Sequence, residues 1–167
     1  KERVRAAVTG AELPWPNGLV TINLSPANLP KTGTHYDLAI ATAALAAIDK
    51  VPKEAARNHV CLGELGLDGR LRRVPGILPA LLAAVRSGFD KAIVPASQEA
   101  EASLVPGVTV WAIGHLKDLV AVLNGEPPLG GWEPPGDDDV ASRQRPPLDF
   151  REVRGHLEGR WVMEVAA

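Results

Sequence analysis

Four residue types that can do chemistry crowd into PKTGTHYDLAIA, residues Pro30–Ala41: Lys31, Thr34, His35 and Asp37. Two kinds of chemistry fit them. Lys31 and the start of a helix can hold an anion, and His35 can serve as a base. A base needs a nucleophile in reach and a partner to orient it. Tyr36 is adjacent, but neighbours one apart on a helix point in different directions. No triad emerges. The alternative is structural. Thr34 followed three residues later by Asp37 has the spacing of a capping box, with the carboxylate over the positive end of the helix dipole. The sequence favours this second reading, with Thr34 and Asp37 as helix-capping residues.

The remaining candidates are sparser. Four histidines (His35, His59, His115, His156) are scattered, and His59 and Cys61 can share one side of a strand, which gives two ligands and not a metal site. Asp137–Asp139 lack the spacing of a calcium loop and read as a solvated charge cluster. Neither the Gly-rich phosphate-binding loop nor a dinucleotide fingerprint occurs. No catalytic, cofactor or metal residue is assigned. Arg70, Arg72 and Arg73 form the densest basic cluster, on a hairpin after Asp68-Gly69, with Arg70 and Arg72 on one face by the period of two. They are candidates for contact with DNA or a partner. Net charge is −2, so any such contact is local.

These residues need a frame. The chain has 167 residues, 46% of them apolar, enough for one sizeable core. A single cysteine excludes an internal disulfide and fits a reducing compartment. The longest apolar run, Leu38–Ile48, is too short to span a bilayer. The chain opens at Lys1 in mid-helix, which reads as a fragment of a longer protein. The pattern predicts a helix over Lys1–Thr9, a strand over Leu19–Leu24 and an apolar helix ending near Asp49. A strand Val60–Leu67 follows, then a tight turn at Asp68-Gly69 with both residues at positive φ, and a return strand Arg70–Val74. Next come a helix Ile77–Ser87 stopped by Gly88, strands Lys91–Val94 and Val108–Ala112, a helical turn near Glu99–Leu104, and a helix His115–Leu123. The class is mixed α/β with an inserted hairpin. Residues 125–148 are rich in Pro, Gly and Asp and read as a mobile linker. Leu157, Trp161 and Val165 then recur every four residues, predicting an amphipathic helix within 149–167.

At this length of pattern a family is visible. ERVRAAV, TINLSPANLPK, GTHYDLAIA, LGELGLDGRLRRVPGILPALLAAVRSG and KAIVPASQEAEASLV resemble the amino-terminal domain of the YifB/ComM-type, magnesium-chelatase-like AAA+ ATPases. The resemblance covers about Glu2–Gly125. It resumes at DFREVRGHLEGRWVMEVAA, which resembles the segment leading into that family's ATPase core, with His156 where Gln is usual and Trp161 where a smaller residue is common. It implies a ribosomal S5 domain 2-like fold over residues 1–124, similar to the Lon protease catalytic domain and lacking its first strands. Aligned on Lon's Ser–Lys dyad, His35 takes the serine's position and Leu78 the lysine's, so protease chemistry is not expected. For the full-length protein the resemblance implies ATP and magnesium, a hexamer, a cytoplasmic location and a role in DNA branch migration. This domain is then an accessory one, in contact with its own ATPase core and neighbouring subunits, with DNA as a further candidate and no membrane. A protease-like or small-molecule-kinase-like enzyme domain is the alternative.

Overall fold

The computed structural model describes residues 2–25 and 33–131. Lys31, Asp137–Asp139, His156, Trp161 and the segment 149–167 lie outside them.

Helix α1, Glu2–Gly10, buries Val4, Ala7 and Val8 on one stripe. Helix α2, Asp37–Ala47, is Ala, Leu and Ile almost throughout and buries Leu38, Ala41, Thr42 and Leu45. A short helix α3, Lys53–Asn58, leads into β1, Val60–Cys61. Then come β2, Glu64–Leu65, and β3, Leu71–Arg72. Helix α4, Ile77–Arg86, carries Pro79 in its first turn, where the missing N–H is no loss. Strand β4, Lys91–Pro95, passes through a 3-10 turn into α5, Glu99–Ala102. Strand β5, Thr109–Ile113, and helix α6, Leu116–Leu123, complete the order.

Strands β1, β4 and β5 form a parallel sheet in the order β1-β4-β5, and β2 and β3 pair separately as an antiparallel hairpin. Alternation along the central strands divides the core. Ile93 and Ile113 join the cluster built from α1, α2, α6 and the hairpin. Ala92 and Val94, on the opposite face, join Ile77 and Leu81 of α4 and Ala102 of α5. A parallel sheet covered on both faces explains why β4 is apolar at four consecutive positions.

The predicted strand Val60–Leu67 is broken at Gly63, and the break has a cause. Leu62 N–H still bonds Ile93 C=O at 3.0 Å, but Gly63 N–H bonds His35 C=O at 3.3 Å and Gly63 C=O receives Leu38 N–H at 3.2 Å. The start of α2 takes the place of a neighbouring strand. The hairpin turn also differs from the expected one. Gly69 takes positive φ but Asp68 does not, and Gly66 N–H bonds Arg70 C=O at 2.9 Å across the three residues Leu67–Gly69. A three-residue loop needs only one left-handed position, and glycine supplies it. The predicted strand Leu19–Leu24 belongs to no sheet: among the described residues no backbone group of residues 14–25 pairs with another backbone group.

Four helices end alike. After α1, α2, α4 and α6 the third residue beyond the helix donates back to it in a Schellman pattern, for example Lys50 N–H to Leu45 C=O at 3.0 Å and Phe89 N–H to Ala84 C=O at 3.0 Å. The motif needs one left-handed residue. Gly88 and Gly125 fill it after α4 and α6, whereas Glu12 (φ 60°) and Asp49 (φ 57°) fill it after α1 and α2.

Candidate functional site

The stretch singled out by its residue types lies where α1, α2 and β2 meet. Its side chains do not form the expected capping box. The residue that caps α2 is Tyr36, and no side chain bonds the helix end. Thr34 Oγ1 instead donates to Glu64 Oε2 on β2. Asp37 does lie in the first turn, but its carboxylate receives Arg3 Nη2 of α1 at 2.8 Å and Leu65 N–H at 3.4 Å. The box fails because Thr34 stands two residues before the cap, and its nearest partner is the carboxylate that β2 brings alongside. The Arg3 guanidinium, hydrogen-bonded to Asp37, holds its proton more firmly than usual. The His35 ring is half-buried and tilted against Tyr36, with ring centroids 4.1 Å apart. Leu78, the other dyad position, lies in the first turn of α4, where its N–H meets Glu101 Oε1 at 3.4 Å.

A capping box does exist, at the start of α6. His115 Nδ1 accepts from Lys117 N–H at 3.1 Å, and Asp118 Oδ2 accepts from His115 N–H at 3.1 Å and Gly114 N–H at 3.3 Å. Since Nδ1 is the acceptor, Nε2 carries the proton and donates to Asp68 C=O at 3.0 Å, tying the hairpin to α6. The other oxygen of Asp118 accepts from Leu129 N–H at 2.9 Å and Gly130 N–H at 3.3 Å, so one buried carboxylate also holds the chain that leaves α6. Gln98 plays a comparable part on the opposite face. Its amide accepts from Val74 N–H at 2.8 Å and donates to Val74 C=O at 2.9 Å, as a strand neighbour would.

The spacing that found Thr34-x-x-Asp37 is the spacing of His115-x-x-Asp118, so this box was open to the same reasoning with histidine admitted as a cap. Arg3, Glu64 and Gln98 carry no local signal. Their partners lie 34, 30 and 24 residues away.

The three arginines are all exposed. Arg70 Nε lies 3.4 Å from Asp68 Oδ2. Arg72 faces Glu64 across the hairpin register. Neither Arg72 nor Arg73 has an ion pair among the described residues. His59 and Cys61 line one groove with Thr42, Lys53 and Arg57. His59 Nδ1 meets Ala55 C=O at 2.7 Å and its ring lies against Trp111. Burial pushes the Cys61 thiol up to about 11, so it is protonated and unreactive at neutral pH. Among the described residues no three His, Cys, Asp or Glu side chains are grouped to hold a metal ion, and no helix is long and apolar enough to cross a membrane.

The family model for the subunit ChlI of Mg-chelatase matches residues 1–98, more than half of the chain. The chain belongs to this family. An uncharacterised protein of Mycobacterium tuberculosis (strain ATCC 25618 / H37Rv) is 44% identical over 167 residues, covering 100% of this chain and 32% of the relative. The uncharacterised protein YifB of Escherichia coli (strain K12) is 36% identical over the same 167 residues, again 32% of its length. The competence protein ComM of Haemophilus influenzae is 35% identical over 169 residues, 100% of this chain and 33% of ComM. The chain therefore spans about a third of the length of these relatives. A more distant match, 29% over 105 residues to Lon protease 2 of Bacillus subtilis, covers 62% of this chain and agrees with the mixed α/β, S5 domain 2-like class.

Proposed function

We propose that these residues form a non-catalytic accessory domain of a larger Mg-chelatase-like ATPase, one that acts in DNA branch migration. The observation that carries this reading is the use made of the polar groups around residues 33–37. Thr34 is bound to Glu64, Asp37 to Arg3 and the β2 backbone, and the His35 carbonyl to Gly63. Side chains that could serve a reaction here join elements to each other. His35 and Leu78, at the positions of Lon's dyad, offer no hydroxyl nucleophile and no amine. In this reading ATP and magnesium are held elsewhere in the polypeptide. The domain's partners are its own ATPase core and neighbouring subunits of a hexamer in the cytoplasm. The exposed Arg72 and Arg73 supply its contact with a subunit or with DNA phosphates.

The test uses the full-length protein. His35→Ala should leave ATP hydrolysis within about twofold of wild type. Loss of a catalytic base costs roughly 100-fold or more, and a fall of that size would overturn the reading. Incubation with an unfolded protein substrate should yield no cleavage. Cleavage that disappears in His35→Ala would restore the enzyme alternative.

A further inference from the structure

Between α2 and α3 lies a groove of about 320 Å³ whose charge runs against that of the chain. Thr42 and Ala46 of α2 line one side and Lys53 and Arg57 of α3 the other, with His59 and Cys61 beside them. No carboxylate lines it, although the chain's net charge is −2. Residues 14–25 take no part in it. Lys53 and Arg57 stand four apart on one face of their helix, and both are exposed. Arg57 has no ion pair among the described residues, and Lys53 has only an exposed one with Asp49. Such a pair contributes little and gives way to a better partner. His59 supplies a third polar group. Its Nδ1 meets Ala55 C=O at 2.7 Å, and a carbonyl only accepts, so Nδ1 carries the proton of the neutral ring. Nε2 then holds a lone pair and has no partner among the described residues.

We propose that this groove binds a short extended segment of a partner protein, with acidic side chains at alternate positions and an aliphatic one between them. Charge selects the acids, because two cations line the groove and no anion answers them. Spacing selects the backbone. Positions four apart on a helix lie about 5–6 Å apart at Cβ, and alternate residues of an extended chain lie about 6.6–6.8 Å apart on one side. Two acids of a strand therefore reach Lys53 and Arg57 together, and the residue between them turns toward Thr42 and Ala46. Volume excludes a helix, one turn of which fills roughly 400 Å³ or more at its diameter of about 10 Å. The Nε2 lone pair of His59 accepts a backbone N–H of the peptide. A phosphodiester backbone has no N–H to give, and no Phe, Tyr or Trp lines the groove for a base to stack on, so a nucleic acid fits less well. This inference rests neither on the accessory role nor on the arginine hairpin.

Fluorescence anisotropy with the full-length protein tests it. The probe is the fluorescein-labelled peptide Gly-Glu-Leu-Glu-Val-Glu-Gly. Its binding should saturate. It should weaken about tenfold or more when Gln replaces each Glu of the peptide, and likewise when the protein carries Lys53→Glu with Arg57→Glu. Both side chains are exposed, so the double variant should keep the urea midpoint of wild type. Absence of saturable binding, or equal binding by the double variant, would overturn the proposal. So would a fluorescein-labelled oligo(dT) that binds more tightly than the peptide and loses that affinity in the same variant, since the groove would then be a nucleic-acid site.

Discussion

Replacing Asp118 with Ala removes a carboxylate that is 1% exposed and accepts four backbone N–H groups. The four do not count equally. Leu129 and Gly130 are at the surface, Leu129 at 65% exposure, and water can replace their partner. Gly114 and His115 N–H lie between β5 and α6 and lose theirs outright. A buried donor left unsatisfied costs about 1–3 kcal/mol. Two give about 2–6 kcal/mol, less the desolvation that the absent carboxylate no longer suffers. The expected loss is about 2–4 kcal/mol. Asp118→Asn keeps an acceptor for Gly114 and His115 but turns an amide N–H₂ toward Leu129 and Gly130, so its loss should be about 1 kcal/mol. Urea unfolding followed by circular dichroism gives the two values. Native-state hydrogen exchange locates them, with Gly114 released in the Ala variant alone and Leu129 in both. An Ala variant within 0.5 kcal/mol of wild type (about the scatter of surface substitutions), or an Asn variant as unstable as Ala, would refute this division of labour.

Asp49→Gly should raise stability by about 0.5–1 kcal/mol, because it relieves a left-handed non-glycine residue and loses only an exposed pair with Lys53; a lowered urea midpoint would contradict this. Gly10→Ala should lower stability by about 1–3 kcal/mol despite better helix propensity, since a Cβ there would sit 2.1 Å from Leu67 C=O; a gain would show that the hairpin moves aside freely. Cys61 binds its proton more tightly folded than unfolded, so the stability contributed by that proton should be full below about 9 and lost as pH rises through about 11, and Cys61→Ala should flatten that slope in alkaline unfolding curves. In fluorescence anisotropy with the full-length protein, Arg72→Ala with Arg73→Ala should reduce the salt slope of DNA binding by about two units, equally for unrelated sequences, if these arginines meet phosphates; an unchanged slope with altered assembly would assign them to a subunit contact.

The helices were legible because their apolar stripes are local. Val4, Ala7 and Val8, or Leu116, Leu119 and Leu123, declare a face within two turns. The parallel strands β4 and β5 were legible as short apolar runs between turns. What failed was pairing. Leu19–Leu24 has strand composition, but a ladder depends on a neighbour that no local pattern reveals. Val60–Leu67 looks continuous, and only the arrival of α2 at Gly63 divides it. The candidate site failed for the same reason. Thr34 and Asp37 were assigned to each other by spacing, whereas in the fold each bonds a residue brought from another element, Glu64 and Arg3.

The division of that strand at Gly63 also sets how a push on the arginine hairpin would travel. Both backbone groups of Gly63 are bonded to the loop and first turn of α2, Thr34 grips Glu64, and Asp37 grips Arg3. The hairpin is thereby riveted to α2 and α1. Its other side is tied to the end of β5 and the start of α6: Leu71 N–H bonds Gly114 C=O at 2.8 Å, Leu116 N–H bonds Gly69 C=O at 2.9 Å, and His115 Nε2 bonds Asp68 C=O at 3.0 Å. A load applied at Arg72 or Arg73 would therefore divide, part running along β2 into α1 and α2 and part passing through these three bonds into β5 and α6.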